Sequence, residues 1–383
     1  MSGWENLPIE ELLQWSRDLA EDPDFPRAHQ WKADGGKVLG HFQVYFPEEI
    51  AHAAGMLPVK VRGAQVETRR ADSHFGSYLC SILKTSLEVV LTGRLPLDMF
   101  VTHPICDSAR NLAGIFGRNV TFPCQILYLP QNANSAYAAA YLAEEYQRLA
   151  EEVSGISGQP VTDEALRESI QLYNKSRRLL RSLYDLKRVE PWRVSMDEAY
   201  ALVAVSGLLP RQEYHRLLEH AIEQILLRPS TRRDMIRVVW DGGFCEQPPL
   251  DMLRVVARSC YVVDDDLLIG QRYILEDVPE EGDPWLALAE SYLHRASWCA
   301  VQHDLRKPKE VMLLERIRES GAQAAIITAA KMCEPGLDEQ VAYSKALDQA
   351  GIPYFMSEFE ERMSSFEGLQ IQLETFVENL LFD

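Results

Sequence analysis

The hydrophobic pattern of this chain changes period twice, and that alone narrows the folds open to it. Between residues 37 and 155, short apolar runs alternate with amphipathic stretches of helical spacing. Residues 37–45 read as a buried strand, 47–55 as a helix and 57–61 as a second strand. Residues 98–102 form a third strand run, and a helix is expected from Ser108 through Phe116. A fourth run at 125–129 is stopped by Pro130, and 137–154 is amphipathic and helical. From 156 to 230 the strand signal fades. Long helical patterns cover 162–187, 196–208 and 212–227, the first opening on Thr162 as cap with Asp163 and Glu164 in the first turn. The alternation then returns, with strands at 235–239, 261–263, 325–327 and 353–356 and helices at 249–258, 310–320, 337–350 and 368–381.

Strand–helix–strand alternation is the mark of a parallel layer with helices on its faces. The expected fold is α/β: two Rossmann- or flavodoxin-like parallel-sheet domains at 37–155 and 231–383, with a helical connector at 156–230 between them. An N-terminal helical segment, 1–36, precedes them, with Asn6 as cap, Pro8 in the first turn and Ile9, Leu12, Leu13 and Leu19 on one face.

Charge narrows the function. Lys+Arg 39 against Asp+Glu 57 gives a net −18, a poor match for nucleic acid or an anionic membrane face. The opening Met1-Ser2-Gly3-Trp4-Glu5 lacks a basic region followed by an apolar run, and the longest apolar stretches fall well short of the roughly 20 residues that cross a bilayer. A cytoplasmic location is expected, with no membrane partner. Neither a GxGxxG fingerprint nor a GxxxxGK[ST] loop occurs, so neither dinucleotide nor P-loop nucleotide binding is signalled.

The seven cysteines carry the chemical signal: Cys80, Cys106, Cys124, Cys245, Cys260, Cys299 and Cys333. An odd count in a cytosolic chain argues against a disulfide framework, and none forms a CxxC pair. Any metal site must therefore be assembled from separate loops. In open parallel sheets ligands sit beyond the carboxyl ends of the strands. Cys106, Cys245 and Cys333 each follow an expected strand end, and Cys80 stands at the entrance to a helix. Backbone N–H groups at helix starts lower a thiol pKa and stabilise an anionic cluster. Single cysteines on separate loops of two domains suit an iron–sulfur cluster in a cleft, whereas a lone buried cysteine is usually a small hydrophobe. Cys260, opening an apolar strand, reads as core; Cys299 reads equally as a helix face.

Other residues have blander readings. His103, before Pro104, either donates to a substrate or caps its loop. The run Asp264-Asp265-Asp266 resembles a metal patch, yet consecutive acids at a strand end more often cap amides or meet solvent. Lys175, Arg177, Arg178, Arg181, Lys187 and Arg188 either face phosphates or form the solvated side of a helix.

Several segments, in a shared order, resemble one family. Tyr45-Phe46-Pro47-Glu48-Glu49-Ile50, followed by Ala54-Gly55-Met56-Leu57-Pro58-Val59, looks like the opening motif of the 2-hydroxyacyl-CoA dehydratase and benzoyl-CoA reductase superfamily. His103-Pro104-Ile105-Cys106-Asp107-Ser108-Ala109-Arg110-Asn111-Leu112 and Cys124-Gln125-Ile126-Leu127-Tyr128-Leu129-Pro130 are similar to the smaller cluster-bearing subunit of ATP-dependent benzoyl-CoA reductases. Val263-Asp264-Asp265-Asp266, Gly270-Gln271-Arg272-Tyr273 and Lys331-Met332-Cys333-Glu334-Pro335 fit the second half of the pattern. The resemblance implies a [4Fe-4S] cluster, or a double-cubane form, on Cys80, Cys106 and Cys333, with Cys124, Cys245 and Cys299 as additional thiols. It implies a homologous cluster-bearing partner subunit and separate ATP-hydrolysing activator subunits, so that ATP is not bound here. It further implies ferredoxin as electron donor and an aryl-CoA thioester as substrate, reduced to a cyclic dienoyl-CoA. His103 is the candidate proton donor. The closing segment Gly368-Leu369-Gln370-Ile371-Gln372-Leu373-Glu374 lacks an arginine that the dehydratases often show there. A 2-hydroxyacyl-CoA dehydratase subunit and a non-catalytic scaffold for the partner's cluster are the alternatives.

Overall fold

The computed structural model describes the chain apart from residues 1, 2, 43, 44, 243–247, 299–301, 303, 361, 362, 364 and 383. Two helices, α1 (Ile9–Glu21) and α2 (Pro26–Ala33), lead into β1 (Lys37–His41), α3 (Glu48–Ala53), β2 (Met56–Lys60) and α4 (Ser81–Leu91). Then come β3 (Met99–Thr102), α5 (Asp107–Asn119), β4 (Cys124–Ile126) and α6 (Ala138–Ser157). Three helices follow without a strand: α7 (Asp163–Val189), α8 (Met196–Ala204) and α9 (Arg211–Leu227). The second run is β5 (Arg237–Asp241), α10 (Leu250–Ser259), β6 (Tyr261–Asp265), α11 (Ile269–Arg272), α12 (Pro284–Arg295) and α13 (Lys309–Ser320). It closes with β7 (Ala324–Ala330), α14 (Glu334–Ala350), β8 (Tyr354–Phe359) and α15 (Glu367–Phe382). Among the described residues, no helix is long and apolar enough to cross a membrane.

The strands form two four-stranded sheets, ordered β2-β1-β3-β4 and β6-β5-β7-β8, with every pairing parallel. The α/β fold with two parallel-sheet domains is thus the observed one. In each sheet the chain leaves its first strand, pairs the second on one side, then crosses to the other side for the third. The order reverses between β1 and β3, and again between β5 and β7. Those are the positions where a crevice opens beyond the carboxyl ends of the strands.

Burial follows from covering both faces of each sheet. Along β5 and β7 the side chains alternate between two cores, as a two-residue period requires. Val238, Trp240, Ala324 and Ile326 join the large core that runs through both sheets and the connecting helices. Val239, Ala325 and Ile327 enter a smaller core with Leu313, Ile317, Tyr343 and Leu347 from α13 and α14.

Local signals explain the connector. The Thr162 hydroxyl accepts from Ala165 N at 3.2 Å and opens α7 as expected. Ser195 and Glu198 form a reciprocal capping box at α8. Helices α2 and α12 go beyond what the periodicity predicts. Asp283 caps α12, accepting from Trp285 N at 2.9 Å, with Pro284 in the first turn. This helix packs on α6, and so ties the second half of the chain to the first. Strand β4 is shorter and starts earlier than the 125–129 run suggests: its register with β3 covers Cys124 to Ile126, and the last bond to β3 runs from Leu127 N to Thr102 O at 2.7 Å.

Gly242, directly after β5, is required by its surroundings. Its φ is +110°, its N–H donates to Asp266 Oδ1 at 3.0 Å, and a Cβ there would overlap the Thr328 carbonyl oxygen of β7. Gly242→Ala is expected to destabilise the protein by about 3 kcal/mol or more. Denaturant unfolding monitored by circular dichroism checks it.

Candidate functional site

The three cysteines expected to bind a cluster share one structural role: each is the residue that caps a helix. Cys80 precedes α4, Cys106 precedes α5 and Cys333 precedes α14. Cys106 and Cys333 also occupy corresponding places in the two sheets. Each follows the third strand of its sheet, at the crevice side of the order reversal. Cys106 Sγ accepts from Ala109 N at 3.4 Å. The thiol pKa is raised on balance: burial outweighs the amides of Ala109 and Ser108, which pull it down as a helix start should, and the charge of Glu334 adds to the rise.

Cys333 is presented by a constrained turn. Met332 before it has φ +62°, uncommon for a residue with a side chain, and its side chain is exposed. Three residues on, Gly336 packs beside Cys333 in the first turn of α14; a Cβ there would sit 3.4 Å from Sγ, an ordinary contact.

The remaining cysteines behave differently. Cys124 lies within β4, paired with Phe100 at the amino end of the strand rather than beyond its carboxyl end. Its thiol donates to Phe122 O at 3.7 Å, and burial pushes its pKa up to about 12. Cys260 is buried in the large core, as expected. Cys245 and Cys299 lie outside the described residues. The five described cysteines form no disulfide. Among the described residues, no group of three or more His, Cys, Asp or Glu side chains is placed to hold a metal ion, and Cys80, Cys106 and Cys333 form no such group.

His103 is buried and stacked on Tyr45, with ring centroids 6.2 Å apart and planes within 5°. Neither ring nitrogen has a hydrogen-bond partner among the described residues. Burial, reinforced by the charges of Lys60 and His41, lowers its pKa to about 3, so the ring is neutral at pH 7. Its carbonyl accepts from Ile105 N at 2.9 Å and shapes the turn into Cys106.

Behind this edge the structure gathers charges whose local pattern reads as solvent-facing. The acidic run does not meet water. Asp264, Asp265 and Asp266 are all buried, each against basic side chains. Arg188 donates to Asp264 at 2.7 Å, with Arg316 and Arg272 at 3.4 and 3.7 Å. Burial alone would raise the Asp264 pKa; these three guanidiniums hold it well below the usual range. Lys187 pairs with Asp265, and Lys309 with Asp266. The basic run divides: Lys175 and Arg178 are exposed, as a solvated helix face would have them, whereas Lys187 is buried and Arg177 pairs with buried Glu49. Glu48 binds Arg211 and accepts from Tyr173 at 3.1 Å, with His41 Nε2 at 3.0 Å from its other oxygen. Sequence reasoning does not mark Glu49, Arg177 and Arg211 as partners. The Pro47-Glu48-Glu49 motif is their only trace, since two acids at a helix start are ordinary on a surface.

The fold and this site define an α/β subunit with cysteine-capped helices at two matched sheet edges. A family model for the D-component of 2-hydroxyglutaryl-CoA dehydratase matches residues 43–380, and the chain belongs to that family. It is 34% identical over 380 residues to a benzoyl-CoA reductase subunit of Thauera aromatica, covering 97% of this chain and 98% of the relative. It is 26% identical over 377 residues to lactoyl-CoA dehydratase subunit beta of Anaerotignum propionicum, covering 97% and 99%. It is also 25% identical over 381 residues to (R)-2-hydroxyglutaryl-CoA dehydratase subunit beta of Acidaminococcus fermentans, covering 98% and 100%.

Glu48 yields a pH prediction. Burial raises its pKa, but the charge of Arg211 and the bonds from His41 and Tyr173 outweigh it and leave about 2 against the usual 4.5. A depressed carboxyl pKa stabilises the fold above about pH 4.5, and that stability is lost as pH falls towards 2. A displacement of this size corresponds to about 3 kcal/mol. Glu48→Gln is expected to flatten the acid limb of the stability–pH curve, measured by urea unfolding from pH 7 to pH 3.

Proposed function

We propose that this chain is the iron–sulfur subunit of an ATP-dependent, ferredoxin-linked aryl-CoA reductase of the benzoyl-CoA reductase kind. It would work beside a homologous cluster-bearing subunit in the cytoplasm, with ATP hydrolysed on separate activator subunits. The observation that carries this reading is the matched capping role of Cys80, Cys106 and Cys333. Likeness to the Thauera aromatica benzoyl-CoA reductase subunit over nearly the whole chain supports it.

The donor set fits such a cofactor. Thiolates are the donors that iron–sulfur clusters take, and a helix start places amide N–H groups beside each of the three sulfurs. We assign Cys80, Cys106 and Cys333 as the ligands of a [4Fe-4S] cluster; a double-cubane form would draw further thiolates from Cys245 or Cys299. When bound, the cluster supplies one-electron transfer at low potential. The chain's own residues do the rest. Amide groups in the first turns of α4, α5 and α14 offset thiolate charge. The aromatic group of Tyr45, Tyr273 and Tyr292, packed edge to face at 5.4 and 5.3 Å, keeps water from His103. The neutral imidazole of His103 holds one N–H that it can give only to a strong base, such as a reduced aryl thioester. His103→Gln is expected to keep its iron and to lose about 100-fold or more in turnover, read from steady-state rates beside metal analysis.

Anaerobic iron and acid-labile sulfide assays test the ligand set. Cys106→Ser and Cys333→Ser should lose most of both, with a changed electron-paramagnetic spectrum after dithionite, while Cys124→Ser should keep them. Wild-type metal content in both ligand variants would show that this chain only scaffolds its partner's cluster. The dehydratase relatives favour a second reading, in which the complex removes water from a 2-hydroxyacyl-CoA. Product analysis separates the two: a cyclic dienoyl-CoA means ring reduction, an enoyl-CoA means dehydration.

A further inference from the structure

A cavity of about 350 Å³ lies between α7, α9, α11 and α13, apart from the three capping cysteines. Six arginines and five carboxylates line it. The balance within it is less even than that count suggests, because three of the arginines, Arg188, Arg272 and Arg316, converge on Asp264, only Arg316 also reaching Asp241 behind it, at 3.3 Å. In a chain of net charge −18, this is a local surplus of buried positive charge.

The guanidiniums are held in fixed orientations with donors to spare. Arg272 lies over the Tyr184 ring, 3.8 Å from its centroid, and Arg211 over the Tyr173 ring at 3.9 Å. Both rings are themselves tethered: Tyr184 donates to Asp265 at 2.9 Å and Tyr173 to Glu48 at 3.1 Å. The Nε atoms of Arg188, Arg211 and Arg272 are buried and have no hydrogen-bond partner among the described residues. Arg211 as a whole is only 6% exposed. A buried guanidinium N–H without an acceptor is costly, and three around one cavity form a ready fork for an oxyanion.

We propose that this cavity binds a phosphoryl anion, with Arg188, Arg211 and Arg272 as the donors and the two tyrosines setting their geometry. The inference does not depend on whether the cysteines hold a cluster. A phosphoryl group could arrive on free pyrophosphate, on a nucleotide, or on the phosphorylated end of coenzyme A, and all three present the same oxygens to the same N–H groups.

Isothermal titration of the full chain, as purified, with inorganic pyrophosphate, ADP and free coenzyme A tests the proposal. The wild type should bind at least one of them saturably at low salt, more weakly at high salt. Arg188→Gln and Arg272→Gln should each weaken that binding by about tenfold or more. Arg148→Gln, which removes a surface cation on α6, should not. Coenzyme A binding more than tenfold tighter than pyrophosphate and ADP identifies an acyl carrier as the source; tighter ADP identifies a nucleotide. No saturable binding of any probe, or unchanged binding in Arg188→Gln, overturns the proposal. Arg188 is partly exposed, so that variant decides the matter if Arg272→Gln does not fold. Iron content of the Arg188 variant, expected to match the wild type, separates this outcome from a failure of the cysteine assignment.

Discussion

Helix α7 carries the charges that hold the two sheets in register. On one face, Arg177 pairs with Glu49 at the start of α3, beside the first sheet. About three turns further on, Lys187 and Arg188 pair with Asp265 and Asp264 at the end of β6, in the second sheet. An α-helix of 27 residues is a rod of roughly 40 Å, so these contacts fix how the two halves stand relative to one another. The Arg177 and Lys187 pairs are buried or nearly so, and Arg188 reaches the buried Asp264 from a partly exposed position. Removing one partner of a buried pair strands the other charge and costs about 3–5 kcal/mol, although the intact pair adds little net stability. Such a network acts less as a source of stability than as a rule about position. The domains can close only where every acid finds its base.

That rule determines what the cysteines can do. Cys106 and Cys333 each cap the helix after the third strand of a sheet, and the same topology brings both to a carboxyl edge. The charged network behind and the cysteine edge in front are connected through aromatic packing. Tyr273, next to Arg272, meets Tyr45 edge to face, and Tyr45 stacks on His103.

Much of this architecture is legible from periodicity. The parallel strands, the strand-free connector and the Thr162 cap are local consequences of where apolar and capping residues fall, and local rules describe them well. The helix-start position of Cys80 and the loop positions of Cys106 and Cys333 are legible for the same reason. Helix α12 escapes such rules because its first residues follow the turn-like stretch Val278-Pro279-Glu280-Glu281-Gly282, and its burial depends on α6 from the other half of the chain. The acidic triplet, and Arg177 and Lys187 within the basic run, mislead because charge reads as solvent exposure when each segment is taken alone.

The sequence by itself determined the order of strands and helices, the two-part repetition and the thiols at helix entrances, because those follow from neighbours within a few turns. Only the tertiary structure decided that Asp264, Lys187 and Glu48 would be buried, since each lowers its desolvation cost mainly through a partner far away in the chain. The pairing of opposite charges across 76 to 163 residues has no local signature. It exists only once the two sheets have closed around the connector.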